Sequence, residues 1–95
     1  MLKKQYFRQA IVFLTVLKEK FDAAEFNLKN PELIVNKESL ISFAWNIKEC
    51  NLIVQIPNKI QNKYKIVIKQ NKIIKQENFY WLDEIYEKLL NLFQS

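Results

Sequence analysis

Ninety-five residues, 49% of them hydrophobic and 14% aromatic, specify one modest hydrophobic core and exclude a disordered tail. The net charge of +5 invites an anionic partner. Zero histidines, zero glycines and one cysteine exclude the commonest acid–base group, glycine-rich phosphate loops and an intrachain disulfide.

From residue 2 to about residue 28 the apolar side chains recur at helical spacing. Tyr6, Ala10, Phe13, Leu17, Phe21 and Ala24 form the main stripe, and Asn30-Pro31 is the expected stop, because the residue before proline is pushed out of the α region. A second line, Val12, Val16, Ala23 and Phe26, calls for cover by the last helix or by another copy of the chain, which makes it a possible homodimer seam. Lys3, Lys4 and Arg8 before the apolar run 10–17 resemble the start of a signal peptide. Lys18-Glu19-Lys20 follows at once with no small-x-small cleavage site, and the run is far too short to span a bilayer.

Strands come next. Residues 32–36 are short and apolar. Residues 40–47 alternate, with Ile41, Phe43, Trp45 and Ile47 on one side, and residues 51–56 place Leu52, Val54 and Ile56 together. Lys48-Glu49-Cys50 is a hairpin-length connector. After Pro57 and a polar stretch, Tyr64, Ile66 and Ile68 alternate with lysines. Gln70-Asn71 then turns the chain into 72–76, asparagine taking the left-handed role that glycine usually fills.

Asn78 reads as the N-cap of a final helix ending near Phe93, lined on one face by Leu82, Ile85, Tyr86, Leu89 and Phe93. The fold class is therefore α+β, a single domain over residues 1–95. An N-terminal helix, a four- or five-stranded antiparallel meander and a C-terminal helix follow in order, with both helices on one face of the sheet.

Chemistry has few places to reside. Asp83 with Glu87, and Asp22 with Glu25, have the spacing of solvated helix-face pairs. Cys50 has no histidine to activate it and reads as a hairpin or core-edge residue in a reducing, cytoplasmic compartment. These features imply a non-enzyme with no metal and no cofactor.

Binding surfaces are easier to find. Residues 59–75 contain Lys59, Lys63, Lys65, Lys69, Lys72 and Lys75 and no acid. Strand alternation sets Lys63, Lys65 and Lys69 on one face, suited to a phosphate backbone or an acidic protein, or to guarding an edge strand. Arg8 is the only arginine among fifteen basic residues, so the bidentate fork that reads bases and phosphates is scarce. The abundance of Lys, Ile and Asn, whose codons are AT-rich, is a second source for the charge. Tyr80 falls off the core stripe of the last helix and Trp81 sits at its edge, as interface anchors do. The functional expectation is a protein-binding module of the inhibitor, antitoxin, immunity or mobile-element anti-defence kind that occludes a partner surface. The alternative is a nucleic-acid-binding domain using residues 59–75. Neither requires a membrane.

Overall fold

The computed structural model describes residues 4–47, 49–58 and 63–94. Seven elements follow in order: α1 (Lys4–Ala23), β1 (Glu32–Val35), β2 (Ile41–Ile47), β3 (Cys50–Gln55), β4 (Tyr64–Gln70), β5 (Ile73–Phe79) and α2 (Leu82–Gln94). The strands form one antiparallel sheet in the order β1-β2-β3-β4-β5, a simple meander. The expected Leu2 start of the first helix, Lys48 of the first connector and residues 59–62 lie outside the described residues.

Alternation builds the core. Ile41, Phe43 and Trp45 of β2, Leu52 and Val54 of β3, and Ile66 and Ile68 of β4 point to one side and are buried there. Ala10, Phe13, Leu17 and Phe21 of α1 and Ile85 and Leu89 of α2 complete the same cluster. Phe13 stacks on Phe43 at 6.2 Å between ring centres, and Phe93 of α2 meets Trp45 edge-on at 6.3 Å. Phe43 and Trp45 share a sheet face, so both helices lie on that face. The helices also touch each other: Phe21 packs edge-on against Tyr86 and Phe93, and Lys20 reaches the Asp83 carboxylate at 2.7 Å.

The Tyr6 hydroxyl is inserted into the sheet. Ile56 N–H donates directly to the Ile41 carbonyl, but the return bond runs through the tyrosine. Ile41 N–H donates to its oxygen at 2.9 Å, and the hydroxyl donates to the Ile56 carbonyl at 2.7 Å. One side chain thus satisfies two backbone groups and pins the first turns of α1 to the ends of β2 and β3. Burial raises the Tyr6 pKa above its ordinary 10.0, against a smaller opposing effect of the hydrogen bond from Ile41.

Several boundaries differ from the sequence expectation. α1 ends at Ala23, well before Asn30-Pro31. Phe26 N–H bonds the Phe21 carbonyl and Glu25 N–H bonds the Asp22 carbonyl, while Glu25 takes φ 59°. This is a Schellman cap with glutamate where glycine is usual, held by the contact of Phe26 with Phe21 at 5.4 Å. Ser39 (φ 61°) also takes a left-handed conformation, so the glycine-free chain does not depend on asparagine alone. Asn71 (φ 57°) does play the expected part, one residue later than expected, in an Asn71-Lys72 turn. Asn78 is not an N-cap. It pairs with Lys65 inside β5, which runs on until Phe79 lies opposite Tyr64 and packs against the core. α2 starts three residues later, where the Glu84 carboxylate accepts from Trp81 N–H at 3.2 Å and Ile85 N–H bonds the Trp81 carbonyl. That is one half of a capping box, with tryptophan at the cap position.

Candidate interaction surface

The residues singled out for partner binding divide into two groups. Lys63 and Lys65 lie at the end of the sheet where β5 leads into α2, since Tyr64 pairs with Phe79 and Lys65 with Asn78. Tyr80 and Trp81 follow Phe79 directly, in the connection before α2 and not on the helix itself. The Lys63 ammonium sits over the Tyr80 ring at 5.0 Å from its centre, a cation–π contact that holds a positive charge beside the aromatic pair. Tyr80 is 56% and Trp81 70% exposed. The Trp81 backbone is nonetheless fixed at both its N–H and its carbonyl by the helix cap. A bulky side chain presented to solvent from a held backbone loses little freedom on binding.

Lys69 and Lys72 belong to the other end of β4, about 13 Å along the strand from Lys65 at the usual rise per residue. Lys65 and Lys69 share the sheet face opposite the helices, but adjacent strands add no lysine to it. On that face β3 presents Asn51, Ile53 and Gln55, and β5 presents Ile74, Gln76 and Asn78. Lys75 pairs with Ile68 and therefore belongs to the helix face. Among the described residues no positive band two strands wide forms on this face. The lysines make a single file on a face that is otherwise Asn, Gln, Ser and aliphatic, with Glu32 at its β1 edge. Lys59 lies outside the described residues.

The second line of α1 is also broken up. Val12 is exposed and Val16 half-buried on the helix, and Ala23 is its last, exposed residue. Phe26 lies beyond the helix end and packs on Phe21 and Phe93, so it is not available as part of a seam. Of the carboxylate pairs, Asp83 is held by Lys20, and Glu25 leaves the helix at the Schellman cap.

Two features escaped the sequence reading. Between the second half of α2 and the ends of β3, β4 and β5 opens a cleft of about 670 Å³, floored by Ile47, Cys50, Leu52 and Leu92 and rimmed by Lys75 and Lys88. Lys88 crosses it to Glu77 of β5 at 2.8 Å. Cys50 is half-buried here. The second is the exposure of β1, a strand expected at residues 32–36, whose four residues all face solvent. Three consecutive aliphatics after Pro31 carried the signal, since a strand apolar on both sides at the end of a meander has no second neighbour to cover it. Among the described residues no helix is long and apolar enough to cross a membrane, and no three His, Cys, Asp or Glu residues gather as a metal site would require. Comparison with protein-family models, curated proteins and solved structures finds no match to this chain.

Proposed function

We propose that this chain is a non-catalytic, cytoplasmic protein-binding module that works by occluding a partner surface, as small inhibitors, antitoxins, immunity proteins and mobile-element anti-defence proteins do. The observation that carries the reading is the Tyr80-Trp81 corner: two large aromatic rings in solvent, on backbone held by the α2 cap, with the Lys63 charge alongside. Aromatic anchors of this kind supply most of the affinity in protein interfaces, and a rim lysine favours a partner with acidic residues around an apolar pocket. The absence of histidine and glycine from the sequence supports a role that needs a surface and no reacting groups.

The test places a photo-crosslinking amino acid at position 63, beside the aromatic pair, in the full chain. A single partner captured in stoichiometric amount, resistant to nuclease and lost when Tyr80→Ala and Trp81→Ala are combined, is the expected result. Steeply salt-dependent binding of oligonucleotides, abolished by Lys65→Glu with Lys69→Glu and indifferent to the aromatic changes, would replace this reading by nucleic-acid binding.

A further inference from the structure

We propose that β1 is a self-association edge. Two copies of the chain pair antiparallel through Glu32–Val35 about a two-fold axis at Ile34, joining their five-stranded sheets into one.

Among the described residues β1 is bonded to β2 alone, so one line of its backbone N–H and C=O groups is open there. Another extended strand is the protein structure that satisfies such a line. The side chains agree. Leu33, Ile34 and Val35 are 41%, 38% and 44% exposed, although strand alternation should bury one face. Leu33 and Val35 pair with Phe43 and Ile41, which places them on the helix face. The flank of α1 nearest them carries exposed Phe7 and Ile11, and Lys18 on that flank bonds the Asn30 side chain just before β1. An apolar strip therefore lines the open edge.

The sequence of the strand names the occupant. Antiparallel pairing about a two-fold axis normal to the sheet sets residues of the same face opposite each other. Centred on Ile34, it places Ile34 against its own copy, Leu33 against the second chain's copy of Val35, and Glu32 against the second chain's copy of Asn36. Aliphatic meets aliphatic on both faces. At each end Glu32 of one chain arrives opposite the neutral Asn36 of the other, so no like charges oppose. The assembly also closes. Once the β1 edges are joined, the edges left are two copies of β5, where Lys75 and Glu77 interrupt the apolar pattern. A four-residue seam falls at the small end of interface sizes, under about 1,200 Å² in total, so the dimer is reversible and forms at high micromolar concentration.

This inference is independent of the Tyr80-Trp81 reading, because those residues follow β5 at the opposite edge of the sheet. The test is sedimentation equilibrium of the full chain up to high micromolar concentration, with amide hydrogen exchange at both ends of the range. A monomer–dimer equilibrium is expected, with β1 amides gaining protection as the dimer fills. Ile34→Lys, which sets two lysines face to face on the axis, should weaken association at least tenfold. Val12→Lys on α1 and Trp81→Ala should leave it unchanged. A chain that stays monomeric throughout, a dimer that leaves β1 amides unprotected, or a dimer lost in Val12→Lys and kept in Ile34→Lys would each overturn the proposal. Because exchange is read on the unaltered chain, it decides the matter even where Ile34→Lys fails to fold.

Discussion

At one side of the sheet β5 runs for seven residues, with Lys75, Gln76, Glu77 and Asn78 in sequence through its middle and Glu77 tied to Lys88 of α2. At the other side β1 runs for four, and beyond Glu32 it is aliphatic on both faces with no helix residue ion-paired to it among the contacts described. Long apolar edges template indiscriminate strand addition, and proteins suppress this by inserting charge, by covering the edge or by keeping it short. β5 uses the first device over its second half, after Ile73 and Ile74, which are 61% and 65% exposed, and β1 uses only the third. A short edge stripped of charge is poor at general aggregation but still able to recognise one matching strand, and the nearest matching strand is its own copy. The two edges thus give the molecule one guarded side carrying the aromatic corner and one unguarded side suited to self-pairing.

The comparison is broken hardest through Leu89. It is fully buried and holds α2 to the sheet with Ile85. Leu89→Ala should cost roughly 2–5 kcal/mol in urea denaturation, and its first local effect should be faster hydrogen exchange in β5, with β1 amides little changed. Equal loosening at both edges would mean that the two sides are not independently supported.

Tyr6→Phe probes the β1 side, because Ile41 pairs with Val35 of β1 as well as bonding the tyrosine oxygen. Removing the hydroxyl strands one N–H and one carbonyl in a partly buried setting, for an expected loss of about 1–3 kcal/mol. The pH dependence carries a second signature. Burial raises the folded-state pKa of both Tyr6 and Tyr64 above 10.0. The unfolded chain therefore loses these protons first, so stability is full below about pH 10 and falls as pH rises through the folded values. Tyr6→Phe should flatten that alkaline decline, measured as the urea midpoint on either side of pH 10.

The smallest effect belongs to Glu77→Gln. Its partner Lys88 and Glu77 itself are both substantially exposed, so losing the ion pair should cost no more than about 1 kcal/mol, and the difference should shrink in high salt. A larger loss would show that the pair fastens α2 over β5 and does more than guard the edge.

Much of the fold was legible in particular residues. Tyr6, Ala10, Phe13, Leu17 and Phe21 keep helical spacing and all but the half-buried Tyr6 are buried, whereas Ala24, the sixth of the expected stripe, lies past the helix end and is exposed. Ile41, Phe43 and Trp45, then Leu52 and Val54, then Ile66 and Ile68 keep strand spacing and share one core. Element ends were less legible. Asn78 has an excellent capping side chain, yet the ladder partner Lys65 and the core contact of Phe79 claim it for β5. Glu25 has no local preference for a left-handed conformation, and the Phe21–Phe26–Phe93 ring cluster imposes it. For the binding surface, Tyr80 and Trp81 are exposed as expected, but because they precede α2 and not because they miss its stripe, and the division of the lysines could not be read at all. Which strand lies beside β4, and in which register, decides whether Lys75 joins Lys65 or faces away from it.

Composition and periodicity by themselves determined that this is a helix–meander–helix α+β chain with its helices on one face, because burial of apolar atoms at spacings of 3.6 and 2 leaves few other arrangements. Only the tertiary structure decided where α1 stops, what caps α2, which lysines are neighbours and that β1 is left open. Each of these depends on a contact between residues distant in the chain, and the energy of such a contact is not written in the local pattern of either partner.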